Sequence, residues 1–319
     1  MNKIENISSN KLDDSKENII PLLKSRQKSL PTKYLYDDKG SKLFEEICDT
    51  DEYYLTRTEK KILSNYSSDI IKNSSAQELF EFGSGSSKKT KYLILNALNR
   101  NSDLTYFSFD ISSKALNMSF NELNKISKKL NIRLIKGDFN YDLDKLEQTK
   151  KNRLYLFLGS TLGNFNDKIA RDFLSKVSKL MKKNDMFLLG VDKVKDEKII
   201  NLAYNDKKGI TRKFNKNILN VINKKYKLNF NEDNFQHNAK YNSQESQIEM
   251  YLEATSSQFI SLPNKEDLLI ERGEKILTEI SRKFSDDTLQ ALFKQSSLEI
   301  VENYMDEKKY FSLFLLRSK

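Results

Sequence analysis

The 319-residue sequence predicts an α/β protein: a Rossmann-like, doubly wound parallel sheet with a smaller α+β lobe inserted into it. Three observations carry that reading. Between about Glu78 and Asp192, short β-rich runs alternate with amphipathic helical runs. Six of the nine glycines sit at or just beyond the ends of the β-rich runs. After Asp192 the alternation stops, and a strand-helix pattern returns only near the carboxyl end.

The β-rich runs are Glu78–Phe82, Leu104–Phe109, Ile132–Lys136, Leu154–Leu158 and Met186–Val191. Between them, Leu116, Phe120, Leu123, Ile126 and Leu130 keep a helical spacing, as do Ile169, Phe173, Val177 and Leu180, so each set predicts an apolar stripe facing the core. Gly83, Gly85, Gly137, Gly159, Gly163 and Gly190 mark strand ends, where a backbone turns sharply or comes close to a ligand. The carboxyl edge of an open α/β sheet is where ligands bind, which locates the site before any motif is considered.

The interruption begins with a helical stretch over about Asp196–Lys225 and continues in β-rich segments at Phe235–Tyr241, Gln247–Ala254 and Ile276–Phe284. A short helix, Asp286–Lys294, then leads to two strands, Leu298–Tyr304 and Tyr310–Leu316, joined through Asp306, Glu307 and Lys308. That closing antiparallel hairpin separates a methyltransferase sheet from an ordinary nucleotide-binding one. The expected division puts residues 58–193 and 285–319 in the sheet domain, and residues 21–57 and 194–284 in the second lobe. Residues 1–20 are expected to begin the chain without fixed structure.

Composition excludes several chemistries. One cysteine, Cys48, cannot form an internal disulfide, and one histidine, His237, cannot assemble a metal site or a conventional triad. No metal is expected. The net charge of +10 raises the question of nucleic acid, but the lysines are spread along the whole chain and do not alternate with aromatics in a binding module. No apolar run approaches the roughly 20 residues that span a bilayer, and the opening residues carry no apolar stretch of a signal peptide. A cytoplasmic, monomeric protein with no nucleic-acid or membrane partner is expected.

The run Glu78–Phe82 leads into Gly83-Ser84-Gly85-Ser86-Ser87-Lys88-Lys89-Thr90 and then a helix, so the glycines fall where a strand must turn against a ligand. Asp110 ends the next strand, 25 residues past Gly85, where a carboxylate can accept hydrogen bonds from both hydroxyls of a ribose. NAD would ask for the same acid. Two features favour S-adenosylmethionine: Lys88 stands where a dinucleotide fold needs a third small residue, and Gly137-Asp138-Phe139 follows the third strand. Asp138 is placed to accept from an adenine amino group, and Phe139 to cover the ring.

The motifs resemble a known family over the chain from about residue 20 to its end. The run Pro31-Thr32-Lys33-Tyr34-Leu35-Tyr36-Asp37-Asp38-Lys39-Gly40-Ser41, with Leu43-Phe44, Glu52-Tyr53-Tyr54 and Thr56-Arg57-Thr58-Glu59, is similar to the opening of the histidine-specific methyltransferases of ergothioneine biosynthesis. Further matching segments are Glu81-Phe82-Gly83-Ser84-Gly85-Ser86, Phe157 to Phe165, Gly190-Val191-Asp192, Ile248-Glu249-Met250 and Thr278-Glu279-Ile280-Ser281. The resemblance implies a class I S-adenosylmethionine-dependent methyltransferase fold with a substrate lobe, and three methylations converting L-histidine to hercynine. It also implies site residues. Gly83, Gly85, Lys89, Asp110, Asp138 and Phe139 would hold the methyl donor; Asn164 and Tyr204 the amino acid's carboxylate; Tyr53, Glu279 and Ser281 the imidazole. Tyr36, Phe44 and Met250 would shape the pocket around the amine, with Tyr36 and Asn164 nearest the chemistry and Tyr36 or a water taking the proton.

Methyl transfer is an in-line displacement at an already activated sulfonium, so the protein mainly aligns a neutral amine and excludes water. As methyls accumulate the nitrogen becomes a bulky cation that aromatic faces still favour. A substrate without imidazole nitrogens would leave Glu279 buried and unpaired, costing on the order of 1 to 3 kcal/mol or more. The nearest alternative keeps the fold and takes another aromatic amino acid such as tryptophan. A nucleic-acid or protein methyltransferase is a more distant one, because Pro21, Pro31 and Pro263 leave no Asn/Asp-Pro-Pro-aromatic motif. A non-catalytic S-adenosylmethionine-binding protein is the third.

Overall fold

The computed structural model describes residues 3–8, 19–139, 141–264 and 266–319. Strands β3 (Glu78–Phe82), β4 (Thr105–Asp110), β5 (Asn131–Lys136), β6 (Arg153–Phe157) and β7 (Met186–Asp192) pair in parallel, and β13 (Leu298–Met305) and β14 (Phe311–Ser318) close the sheet antiparallel. The eight-stranded order is β1-β5-β4-β3-β6-β7-β14-β13, where β1 is Ile4–Asn6. Order reverses beside β3, the switch point at which such sheets bind ligands.

Residues on β3, β4 and β6 are buried on both faces, as expected of parallel strands covered by helices. Phe80, Phe82, Phe107, Phe109, Tyr155 and Phe157 fill one side, while Leu79, Tyr106, Leu154 and Leu156 fill the other. Helices α4 (Lys91–Arg100), α5 (Ser113–Ile126), α6 (Asp167–Leu180) and α9 (Asp286–Gln295) pack on these faces. Side chains of Ser112, Asn166 and Ser285 cap the last three by accepting from backbone amides of the first turn. Ile169 departs from its expected core stripe: it is exposed in the first turn of α6, and the inward face is carried by Ala170, Phe173, Leu174 and Val177.

The unordered start expected over residues 1–20 is corrected at Ile4–Asn6, which pairs in parallel with Leu134–Lys136. The free edge of β5 supplies the backbone partners, and Ile7 packs on the apolar core; three residues are too few to show a β pattern in the sequence. Residues 1–2 and 9–18 lie outside the described residues.

The chain forms two units. One joins Leu55–Val194 to Phe284–Lys319 and includes β1; the other joins the segment ending at Tyr54 to Lys195–Lys283. The sequence reading put these breaks at 57/58, 193/194 and 284/285. The second unit is built on a four-stranded sheet of order β2-β12-β9-β8, formed by Lys28–Ser29, Lys275–Arg282, Gln247–Ala254 and Phe235–Asn242. Around it stand α1 (Ile20–Lys24), α2 (Asp38–Cys48), α7 (Glu197–Ala203) and α8 (Ile210–Tyr226). Residues 204–209 divide the expected single helical stretch into α7 and α8, with Gly209 in a left-handed conformation. A small hairpin, β10 (Gln258–Ser261) with β11 (Asp267–Ile270), was not anticipated. Helix α3 (Tyr54–Ser74) leads into the sheet unit.

Candidate active site

In the sheet unit the predicted donor-binding residues gather at the carboxyl ends of β3, β4 and β5. Gly83 and Gly85 adopt φ of +63° and +51°, which side chains with a Cβ rarely tolerate, and the space beside Gly85 is open. The amide of Gly83 donates to Phe109 O at 2.8 Å, tying the turn to the end of β4. Asp110 accepts from Gly85 N at 3.1 Å and from Ser112 N at 2.8 Å. Burial raises its carboxyl pKa against the pull of these amides.

One strand over, the backbone of Asp138 is held by its amide's bond to Asp142 Oδ2 at 2.9 Å, and its side chain is buried. The ring of Phe139 packs against Phe157, Phe165 and Phe173 at centroid distances of 5.5 to 5.9 Å. A carboxylate for a ribose, a second for an exocyclic amine and a ring beside the glycine turn fit a nucleoside. A pyrophosphate would instead want a helix N-terminus at the turn, and α4 starts only at Lys91.

Lys89 is ion-paired with Glu59 of α3, a fully buried carboxylate that also accepts from Gly159 N at 2.7 Å. Gly190, expected at a strand end, lies inside β7. A Cβ there would stand 2.4 Å from Glu59 Oε1, so the glycine makes room for the acid. Asn164 closes the 3-10 turn Thr161–Asn164 just after β6, also in this unit.

The second unit collects the residues expected to bind the amino acid. Glu279 and Ser281 are buried on β12, and Met250 is the direct partner of Glu279 on β9, next to a bulge between Leu277 and Glu279. Rings of Tyr36, Phe44, Tyr53 and Tyr204 form a chain, with centroid spacings of 5.5 Å, 6.1 Å and 6.0 Å between successive members. Phe214 of α8 joins it, 5.4 Å from Tyr36 and 6.0 Å from Phe44. Tyr204 donates to Ser281 Oγ at 2.7 Å.

Burial dominates the electrostatics here. It pushes the Glu279 carboxyl up to about 7, against the opposing pull of Lys283 and of the Tyr36 hydroxyl, which donates to Glu279 at 3.5 Å. It also raises the phenols of Tyr36 and Tyr53 well above their usual range, with Glu279 adding to the first and Tyr204 to the second. Tyr36 is therefore a neutral hydrogen-bonding group, which disfavours it as a phenolate base.

Sequence reasoning missed Glu59, Phe214 and Lys283 as contributors. It left His237 as an isolated residue, which is here half-buried between Asn215 and the carbonyl of Tyr204. Glu59 lay within a quoted motif; nothing in the spacing of the others pointed to these contacts. Among the described residues no group of three His, Cys, Asp or Glu side chains could hold a metal ion, and no helix is long and apolar enough to cross a membrane.

The closing hairpin, the glycine turn and the acid ending β4 define a class I S-adenosylmethionine-dependent methyltransferase. The chain belongs to the family described as "Histidine-specific methyltransferase, SAM-dependent", whose model matches residues 15–318. It is 36% identical to a histidine N-alpha-methyltransferase of Mycobacterium tuberculosis over 92% of this chain and 91% of that protein. It is 28% identical to ergothioneine biosynthesis protein 1 of Schizosaccharomyces pombe over 99% of this chain but 42% of that protein. Among solved structures, the PH0226 protein of Pyrococcus horikoshii shares the fold, with a TM-score of 0.51 at 11% identity, covering 89% of this chain and 100% of that one.

Proposed function

We propose that this enzyme transfers three methyl groups from S-adenosylmethionine to the α-amino nitrogen of L-histidine, forming hercynine, the first step of ergothioneine-type biosynthesis. The observation that carries the reading is Glu279 beside Ser281, both buried, with Met250 opposite Glu279. A carboxylate and a hydroxyl two residues apart on a strand match the two nitrogens of an imidazole. An indole offers one N–H and would leave the hydroxyl without its partner, so the pairing favours histidine over tryptophan.

Bound S-adenosylmethionine supplies an activated methyl sulfonium. Asp110 would hold its ribose, Asp138 and Phe139 its adenine, Lys89 its carboxylate, and Gly83 and Gly85 the close backbone approach. Asn164 would take the carboxylate of histidine; Tyr204, expected to share it, gives its hydroxyl proton to Ser281 instead, and Tyr53 would help read the ring. Tyr36 keeps its phenol proton, so it would orient the amine by hydrogen bonding while the proton leaves through water. Tyr36, Phe44 and Tyr53 offer ring faces and edges suited to a nitrogen that grows more bulky and cationic with each methyl. The substrate is the free amino acid, taken by a cytoplasmic monomer that needs no metal.

The test is to incubate the protein with S-adenosylmethionine and each common amino acid in turn, and to look by mass spectrometry for added methyls. Trimethylated histidine is the expected product. Turnover of another amino acid with histidine unchanged would overturn the substrate, and binding of the donor without turnover of any would overturn the activity.

A further inference from the structure

Lys283 follows β12 and is buried, 3% exposed. Its ammonium donates to Ser281 Oγ at 2.8 Å and to Tyr204 OH at 3.0 Å, and lies 4.9 Å from the centroid of the Tyr204 ring. Tyr204 in turn donates to Ser281 Oγ. An ammonium has protons to give and no lone pair to receive one, so both hydroxyls must accept from it. A serine hydroxyl has two lone pairs and one proton. Lys283 and Tyr204 occupy both lone pairs, leaving Ser281 only its proton to offer a ligand.

We infer that Lys283 is a specificity-determining positioning residue: by forcing Ser281 to act as a donor, opposite the accepting carboxylate of Glu279, it restricts the site to neutral imidazole in one tautomer. The inference rests on the reading that Glu279 and Ser281 bind histidine. The ring nitrogen facing Ser281 must then carry a lone pair, and the one facing Glu279 must carry the proton. Imidazolium would present an N–H to a hydroxyl that cannot accept it and add a positive charge beside a buried ammonium. The titratable groups around this cluster include Glu279 on the same strand, Tyr204 after α7, His237 on β8 with its ring 3.0 Å from the Tyr204 carbonyl, Tyr36 before α2, Cys48 at the end of α2 and Tyr53 before α3. None of them supplies the ammonium's property of donating only.

The experiment uses the full chain with histidine labelled with nitrogen-15 at both ring positions, and S-adenosylhomocysteine present so that no turnover occurs. At pH 8, above the value of about 7 to which burial pushes the Glu279 carboxyl, that group is an acceptor, and free histidine is a mixture of two neutral tautomers. Nitrogen NMR of the bound ligand should nonetheless show one protonated and one unprotonated ring nitrogen. Lys283→Met removes the charge while keeping most of the side-chain volume. It should lose that signature, with the bound ring becoming imidazolium or a tautomer mixture, and Lys283→Arg should restore it because guanidinium also only donates. Retained S-adenosylhomocysteine affinity shows that the variants are folded. Histidine bound by the unsubstituted protein as imidazolium or as a mixture would overturn the inference, as would an unchanged signature in Lys283→Met. Failure of the unsubstituted protein to bind histidine at all would instead sink the histidine reading, and the inference with it.

Discussion

Glu59 accepts the backbone amide of Gly159 at 2.7 Å and ion-pairs with Lys89, joining α3, the end of β6 and the glycine-rich turn through one buried carboxylate. A Cβ at position 190 would fall 2.4 Å from its Oε1 and 3.3 Å from Leu313 and Phe311. Gly190→Ala should therefore displace Glu59 and cost about 1 to 3 kcal/mol of stability, as overpacking does. Thermal unfolding should show a lowered Tm, and calorimetry a weakened affinity for S-adenosylmethionine. Full retention of both would mean that Glu59 moves freely and does not organise the turn.

Asp110 holds two backbone amides and is the acid proposed to meet the ribose. Asp110→Ala removes charge-assisted hydrogen bonds worth roughly 1.5 to 3 kcal/mol each. Affinity for S-adenosylhomocysteine should fall at least about tenfold, while the second unit is left unaltered.

Glu279 carries a functional group at a cost in stability. Its pKa is raised from 4.5 to about 7, so its contribution to stability is fully present below pH 4.5 and is lost as pH rises through about 7. Glu279→Gln removes that titration. Its stability relative to the unsubstituted protein should improve between pH 5 and pH 8, by an amount on the order of 3 kcal/mol. The same substitution should weaken histidine binding sharply. Chemical denaturation at the two pH values checks the first expectation and titration calorimetry the second; a pH-independent stability difference would remove the buried-charge argument.

His237 titrates in the opposite sense. Asn215 donates to its Nδ1 at 2.9 Å, so the proton sits on Nε2 and is given to the carbonyl of Tyr204 at 3.0 Å. Burial lowers its pKa, so its contribution is present above its unfolded value near 6.5 and is lost as pH falls through the lower folded value. His237→Ala should cost on the order of 2 to 4 kcal/mol at pH 8, by loss of packing and of the tie to Tyr204. The loss should shrink under acid conditions, and histidine affinity should fall with the displacement of Tyr204. Equal destabilisation at pH 5 and pH 8 would show that the ring's protonation state is irrelevant.

Much of this architecture could be read from local patterns. Five parallel strands, the closing hairpin, the turn at Gly83 and Gly85 and the acid at Asp110 follow from hydrophobic period and turn chemistry, which act over a few residues. The buried pair Glu279 and Ser281 came from a motif resemblance, and the pairing of β9 with β12 puts Met250 opposite Glu279. Elements too short to show a period, such as β1 and the hairpin of β10 with β11, were not legible.

Side-chain partnership across long stretches of chain belongs to the folded state alone. Glu59 meets Gly159 across 100 residues, and Lys283 meets Tyr204 across 79. Glutamate and lysine are mostly exposed in proteins, and no local pattern tells which of many such residues will be buried. Packing makes that selection: a charge taken out of water must find its hydrogen-bonding partners in the surrounding structure. The fold's periodicity is written along the chain, whereas the donor and acceptor roles within the site arise only once distant segments have excluded solvent.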